Sequence, residues 1–189
     1  MHRHLPLCLS VLLLIAFRVI GAAYPMALPN FQPLAALFFC GALIAPAWRG
    51  FTLPLGIWIL TFPLGSGHPD GPSLFLTTLA ALTLTFFLGK WLSKKGWASM
   101  LLGSVGATLV FHLITNSAAW LADPRYAKSL VGLWQSLWTG APGDVLPSWV
   151  FLRNLGVANL IFTGAHLLAM LRAPQVYPSL AAPQAAKSH

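Results

Sequence analysis

Six apolar runs follow one another along the chain; four have about the length that crosses a bilayer, and the second and third are shorter and Pro-rich, so they could be tilted, kinked or paired as a tight hairpin. A spanning helix needs roughly 20 predominantly apolar residues. Only 7% of the residues are charged, whereas a soluble domain has about 25%, so most of the chain is expected to lie in lipid. The sequence therefore predicts an all-α fold, a polytopic membrane protein with a bundle of six transmembrane helices. The predicted spans are Leu5–Ala23, Leu34–Trp48, Phe51–Leu64, Leu74–Trp91, Ala98–Leu121 and Trp149–Leu171.

The predicted organisation is one transmembrane domain, residues 1–172, followed by a disordered cytoplasmic tail, residues 173–189, rich in Ala, Pro, Ser and Gln. A second interpretation of the first span stays open. Its basic start, apolar middle and small-residue GAA are typical of a cleaved signal peptide. Arg18 argues against that interpretation, because a charge inside the apolar stretch of a signal peptide is unusual.

Lysine and arginine residues in the connecting segments predict the orientation, because cytoplasmic loops carry an excess of them. With a cytoplasmic N-terminus, seven fall on the inner side and two, Arg125 and Lys128, on the outer side. Both termini are therefore expected to be cytoplasmic, and the protein is expected to lie in a bacterial inner membrane. The inner set is Arg3, Arg49, Lys90, Lys94, Lys95, Arg172 and Lys187.

The third outer segment, Ala122 to Ser148, carries apolar residues at helical spacing, among them Leu130, Trp134 and Trp138. This spacing predicts an amphipathic helix that lies on the outer interface or caps the bundle. The segment is thus expected to form a seventh helix that does not span the membrane.

Acidic residues are almost absent, and this excludes several classes of function. The chain has no Glu, and Asp70, Asp123 and Asp144 all lie outside the apolar runs. Carboxylate-based catalysis, proton relays and acid-rich metal sites within the membrane are therefore excluded. The basic residues give a net charge of +8 but are scattered singly, which argues against a nucleic-acid partner. No catalytic set, metal site or cofactor is predicted.

A few polar side chains interrupt the apolar runs. Arg18 and Arg153 each lie near the outer end of a predicted span, with no acid in the membrane to neutralise them. In the stretch FHLITNSAAWL, His112 and Asn116 are four residues apart and share a helix face. Asn159 lies in the outer half of the last span. Two interpretations stay open: these side chains line a solute site, or they hydrogen-bond between helices and only hold the bundle together.

An intramembrane hydrolase is a third interpretation, because the spacing His112-x-x-x-Asn116 occurs in intramembrane serine proteases. Such enzymes also need an exposed Ser in a Gly-x-Ser-Gly turn. The nearest segment, LGSGH at residues 64–68, lacks the first Gly. Without a nucleophile–base set, enzymatic activity is not expected.

Four sequence blocks resemble, in order, those of an uncharacterised family of small bacterial membrane proteins. Arg18 also stands where that family has an arginine ahead of the first block. The resemblance covers roughly residues 16–170. The blocks are LPNFQPLAALFFCGAL (28–43), ITNSAAWL (114–121), YAKSLVGL (126–133) and FLRNLGVAN (151–159).

That family resembles in turn the S (substrate-capture) components of energy-coupling-factor vitamin transporters, which are six-helix proteins with both ends cytoplasmic. The resemblance implies a vitamin-like solute bound near the outer face, under a lid loop that contains Asn30, Phe31 and Pro33. It also implies a transmembrane coupling subunit and ATPases as partners. The complete set of predicted ligand-binding residues is Arg18, Asn30, Phe31, Pro33, His112, Asn116, Trp120, Arg153, Asn154 and Asn159.

The chain departs from the S-component pattern in two ways. Asn159 stands where an aspartate is expected, six residues after the motif arginine. The first helix is Leu-rich, whereas S components often carry small residues there for docking on a partner. The better small-residue pairs in this chain are Gly41/Ala45 and Gly103/Ala107.

The sequence therefore predicts a membrane protein that binds a small polar or anionic solute at its outer face, for uptake with a separate energising partner. A structural or accessory subunit without a ligand is the alternative.

Overall fold

Seven helices and no strand make up the described part of the chain, residues 5–24, 26–27, 29–44, 48–65 and 72–171 of a computed structural model. The prediction of an all-α fold is confirmed. The predicted tail, residues 173–189, lies outside the described residues. The helices are α1 (Leu5–Ala23), α2 (Leu34–Ile44), α3 (Arg49–Gly65), α4 (Pro72–Leu92), α5 (Trp97–Ala122), α6 (Leu130–Trp138) and α7 (Ser148–Leu171).

The predicted helix positions agree with these elements, and the predicted amphipathic segment forms α6. The largest difference concerns α2, for which the sequence predicts an end at Trp48. The helix is described only to Ile44, and α3 begins at Arg49. Residues 45–47 lie outside the described residues.

Three helices are long and apolar enough to cross a membrane: Leu74–Leu92 with 19 residues, Trp97–Ala122 with 26 and Ser148–Leu171 with 24. Two further apolar segments are shorter: residues Cys8–Ala23, which belong to α1, and residues Leu34–Ile44, which form α2. The 11 residues of α2 extend over only about 16 Å, about half the thickness of the hydrocarbon layer. Among the described residues, helices of sufficient length and apolarity to span a membrane are therefore found for three of the six predicted segments.

Helix α2 lies at the centre of the packing. Nine of its 11 residues are buried. Leu37, Phe38 and Phe39 follow one another, yet each belongs to a different apolar cluster of the core. Successive residues of a helix point about 100° apart. Because three consecutive residues of α2 pack into three different clusters, other parts of the protein surround this helix. A helix that is apolar all round is expected in such a position.

Glycines allow backbones to approach closely around α2. A Cβ atom at Gly41 would lie 2.1 Å from the carbonyl oxygen of Gly50, and one at Gly89 would lie 1.9 Å from that of Phe39. A Cβ atom at Gly103 would lie 2.1 Å from a side-chain carbon of the α4 end. Gly41 and Gly103 belong to the two small-residue pairs that the sequence indicated as the better candidates for docking on a partner. Both pack within the chain.

Helix α6 turns its small residues inward and its large apolar residues outward. Gly132 and Ser136 are buried, whereas Leu130 is 84% exposed and Trp134 is 66% exposed. The rings of Trp134 and Trp138 stack at 6.2 Å between centroids. Aromatic and aliphatic side chains on the outer face of a short helix are typical of a helix that lies in a membrane interface.

Ionic contacts connect the chain segment before α6 with the segment after it. Arg125 donates to Asp123 at 2.7 Å and to Asp144 at 2.8 Å. The hydrogen bond from Arg125 is the main cause that lowers the pKa of Asp123, and the two carboxylates together raise the pKa of Arg125. Lys128 Nζ donates to the carbonyl oxygens of Trp120 and Asp123. These contacts join the α5–α6 and α6–α7 connections.

Candidate functional site

A cavity of about 410 Å³ lies where six helix ends meet. It is formed by the C-terminal parts of α1, α3 and α5, the N-terminal ends of α2, α4 and α7, and the α1–α2 loop. We call it the Arg18 cavity. Its volume is within the range of roughly 300–1,000 Å³ that small-molecule sites occupy. Its polar lining residues are Arg18, Asn30, Gln32, Thr78 and Thr115.

Arg18 is the most buried of the polar groups at this cavity, with 5% of its surface exposed. Its Nη1 donates to Oε1 of Gln32, and Nε2 of Gln32 donates to Oδ1 of Asn30 at 3.2 Å. Asn30 has a φ of 59°, in the left-handed region that asparagine tolerates better than most residues. The loop conformation therefore brings two amide side chains to one arginine.

The charge of Arg18 has no carboxylate counterpart among the described residues. Its Nε atom is buried and has no hydrogen-bond partner there. Of the three acids in the sequence, Asp123 and Asp144 bind Arg125, and Asp70 lies outside the described residues. An arginine stays protonated in proteins. The cavity therefore carries a positive charge, with one guanidinium donor unused by the described chain.

Aromatic side chains form much of the remaining wall. Trp58 is fixed by Phe75, whose ring stacks on it at 4.8 Å, and by Phe62, whose ring meets it edge-on at 5.6 Å. Rings packed in this way are held in one orientation. The aromatic part of the lining is therefore apolar and packed against neighbouring rings. The aromatic lining residues are Trp58, Phe62, Phe111 and Phe151.

The stretch FHLITNSAAWL on α5 divides between two surroundings. Phe111 and Thr115 line the Arg18 cavity. His112 turns instead toward α6, where its Nε2 lies 2.9 Å from the carbonyl oxygen of Leu137. Asn116 Nδ2 lies 3.1 Å from His112 Nδ1 and donates to the His112 carbonyl. His112 and Asn116 thus connect α5 with the amphipathic helix.

Three further predicted site residues lie on α5 and α7 at the same end of the bundle. Trp120 Nε1 donates to the carbonyl oxygen of Ala127 at 2.8 Å. Arg153 is exposed and donates to the Asn154 side chain. Asn154 Nδ2 donates to the carbonyl oxygen of Pro29 at 2.8 Å, which ties α7 to the loop of the Arg18 cavity. Asn154 therefore stabilises the loop that positions Asn30.

The other predicted residues pack inside the bundle. The ring of Phe31 lies 6.3 Å from that of Phe162 on α7. Pro33 is buried next to the start of α2. Asn159 Nδ2 donates to Oγ1 of Thr108 at 2.7 Å, which joins α7 to α5. Of the ten predicted residues, the structure brings Arg18 and Asn30 together at the cavity.

Several cavity residues were not predicted from the sequence. Gln32 lies between two predicted residues of the α1–α2 loop, and its polar amide next to them could have identified it as a site residue. Trp58, Phe62 and Phe151 gave none, because an aromatic residue in an apolar run is ordinary. A buried contact between Ser10 Oγ and His166 Nδ1, 3.1 Å long, was also not predicted.

The architecture defines an all-α protein of the membrane-spanning type with a cationic cavity at one end of the bundle. The chain belongs to a family of unknown function, DUF6580, whose sequence profile matches residues 1–180. No curated protein and no solved structure matches it. The family match agrees with the predicted resemblance to an uncharacterised family, and the likeness to S components stays a prediction.

Proposed function

We propose that this chain is an integral membrane protein that captures a small polar or anionic solute in the Arg18 cavity. In this proposal the protein lies in a bacterial inner membrane with both termini cytoplasmic and the cavity facing outward. It binds the solute rather than transforming it. Uptake then requires a separate transmembrane coupling subunit and ATPases, as in the vitamin transporters that the sequence resembles.

The observation that carries the proposal is the buried charge of Arg18. An arginine at the centre of a membrane helix raises the insertion free energy by about 2.5–3.5 kcal/mol, and Arg18, nearer the end of α1, bears at most this cost. Arg18 is 5% exposed, lines a cavity and retains a buried Nε atom without a partner among the described residues. Such a donor is expected to bind an anionic or strongly polar group that enters from outside.

The distribution of basic residues supports the outward orientation. Arg49 begins α3, Lys90 ends α4, and both therefore lie at the bundle end opposite the Arg18 cavity. Lys94 and Lys95 follow α4 at that same end. Because positive residues accumulate on the cytoplasmic side, the cavity is expected to open to the outer side.

The proposed dependence on a partner follows from the sequence. The chain contains no G-x-x-x-x-G-K-[ST] phosphate-binding motif, so it supplies no recognisable ATP site of its own. Accumulation of a solute against a gradient would therefore need energy from another chain.

A structural or accessory subunit is the second candidate, and interhelical polar contacts favour it. Asn159 donates to Thr108 at 2.7 Å, and Ser10 lies 3.1 Å from His166. Polar pairs of this kind stabilise helix association by roughly 0.6–2 kcal/mol without any ligand. They do not account for Arg18, whose single amide contact leaves its charge without a counter-ion among the described residues.

The test is native mass spectrometry of the full chain in mild detergent, with wild type, Arg18→Gln and Arg49→Gln compared. Arg49→Gln removes the same charge at the opposite bundle end and serves as the matched control. A small molecule bound to wild type and to Arg49→Gln, but lost from Arg18→Gln, supports solute capture. An empty wild-type protein, also after incubation with a panel of vitamins and nucleosides, favours the structural subunit.

A further inference from the structure

We infer that the Arg18 cavity selects solutes that carry one carboxylate on a ring-bearing apolar body. This inference rests on the proposed function and names the chemical class of its solute. Three features of the cavity support it: the number of charges, the free side of the guanidinium and the aromatic part of the lining.

The charge of the lining limits the charge of the solute. Arg18 is the one charged side chain among the described residues that line the cavity. A solute with one negative charge would be neutralised there. A second negative charge would be removed from water without a partner, which is strongly unfavourable at a buried site. A cationic solute would meet the guanidinium charge directly. The cavity therefore favours a monoanion.

The free side of the guanidinium favours a carboxylate among monoanions. Gln32 accepts from Nη1, whereas Nε has no partner among the described residues. The Nε–H bond points to the same side as Nη2, and these two donors form one edge of the planar group; because Nε is buried, a carboxylate reaches both donors only by displacing atoms packed against this edge. Two parallel N–H donors match the two oxygens of a carboxylate. Gln32 is in turn held by Asn30, so the orientation of the guanidinium is fixed before the solute arrives.

The aromatic lining of the cavity favours a solute that carries an aromatic ring. Trp58, Phe62, Phe111 and Phe151 come from three different helices and line the same cavity. Trp58 is itself only 1% exposed and is stacked on Phe75, so the three partly exposed phenylalanines offer the surface for a solute ring. Aromatic rings bind other rings in offset or edge-on arrangements, beyond the gain from apolar burial. A ring-bearing acid is therefore expected to bind more tightly than an aliphatic acid of similar size.

The experiment is calorimetric titration of the full chain in lipid nanodiscs with four probes. 2-Naphthoate carries the proposed features, 2-naphthamide lacks the charge, decanoate lacks the rings, and naphthalene-2,6-dicarboxylate carries a second charge. We expect 2-naphthoate to bind at least about tenfold more tightly than each of the others, because a site built around a charged hydrogen bond rejects analogues that lack it. Equal or tighter binding of the amide, the aliphatic acid or the dicarboxylate overturns the inference.

Variants connect these preferences to the named residues. Arg18→Gln should bind the amide as well as the acid, and Arg18→Lys should keep part of the preference for the acid without the two-donor geometry. Phe111→Leu should reduce the preference for 2-naphthoate over decanoate. Asp70→Asn should leave 2-naphthoate affinity unchanged. An affinity gain above about tenfold in Asp70→Asn would identify an internal carboxylate partner for Arg18 and overturn the inference.

Failure of this inference is distinguishable from failure of the proposed function. A co-purifying solute that is neutral, cationic, multiply charged or purely aliphatic overturns the solute class and leaves solute capture standing. A protein that neither co-purifies with a solute nor binds any probe overturns both. A co-purifying ring-bearing monoacid supports both, whatever its affinity relative to the probes.

Discussion

Replacing Arg18 with methionine should separate stability from solute binding. Arg18 lies in α1 with 5% of its surface exposed, and Met fills a similar length without a charge. The replacement removes the cost of holding a charge inside the bundle in the folded state, for which the insertion value at a helix centre, about 2.5–3.5 kcal/mol, is an upper limit. It also removes the hydrogen bond to Gln32. A hydrogen bond to a charged group contributes about 1.5–3 kcal/mol.

These two effects oppose each other, and their difference sets the expected result. The free energy of unfolding of Arg18→Met should lie between about 0.5 kcal/mol below and about 2 kcal/mol above wild type. Solute binding should be lost, because no other charged side chain among the described residues lines the Arg18 cavity. A functional residue that lowers the stability of its own protein is a common feature of binding sites.

Thr108→Val supplies the opposite comparison. Thr108 accepts from Asn159 at 2.7 Å and does not line the Arg18 cavity. Loss of this interhelical bond should lower the free energy of unfolding by about 0.6–1.7 kcal/mol and leave solute binding unchanged. The two variants thus predict opposite combinations of stability and binding.

The assay is reversible unfolding in mixed micelles, followed by circular dichroism with solute removed, and repeated with solute present. Solute should raise the stability of wild type and of Thr108→Val but not of Arg18→Met, because only a protein that binds it is stabilised by mass action. If Arg18→Met is destabilised by more than about 1 kcal/mol without solute, Arg18 is a structural contact and the reasoning is wrong.

Further predictions concern packing, pH and the membrane interface. Gly89→Ala should lower the free energy of unfolding by about 1–3 kcal/mol, because its Cβ atom would lie 1.9 Å from the α2 backbone. Gly106→Ala is the control, because its Cβ atom would have nothing within 4 Å, and it should not lower the free energy of unfolding. Equal unfolding temperatures of the two variants would contradict the close packing of α2 and α4. The pKa of Asp123 is lowered below 3.8 by Arg125, so its stabilising contribution is complete above that value and is lost as the pH falls through the lower folded-state pKa. Hydrogen exchange of residues 123–128, corrected for its intrinsic pH dependence, should increase below pH 3.8; constant protection would refute this. Trp134, 66% exposed, should be quenched by brominated lipid, and Trp134→Phe should lose that component; an unquenched Trp134 would place α6 away from lipid.

The positions of the helices were predictable because apolar runs of limited length have few alternatives. Length and composition located α4, α5 and α7, and the spacing of apolar residues located α6. The length and central place of α2 were not predictable. An apolar run gives the same pattern whether it faces lipid or protein, so burial on all sides cannot be distinguished from exposure to lipid.

The candidate site was predictable only where a residue is rare in its surroundings. Arg18 and Asn30 stand out from an apolar chain, and both line the cavity. Trp58 and Phe151 do not stand out, because aromatic residues are frequent throughout the sequence. The sequence also could not show that Thr115 lines the cavity whereas His112 contacts α6. Both lie on α5 three residues apart, and only the tertiary position of α6 decides which of them turns away from the cavity.

Three buried polar atoms of the described chain have no hydrogen-bond partner: Nε of Arg18, Oδ1 of Asn159 and Nε2 of His166. An unpartnered neutral group costs about 1–3 kcal/mol and more if charged, so the three are not equivalent. Asn159 and His166 are neutral side chains that each have one contact to a neighbouring helix, with Thr108 and Ser10 respectively. Packing between helices is a sufficient explanation for them. Arg18 combines a permanent charge, an unpartnered donor and a cavity of about 410 Å³. The contacts among the described residues leave these three properties unexplained, and the proposed anionic solute would explain them.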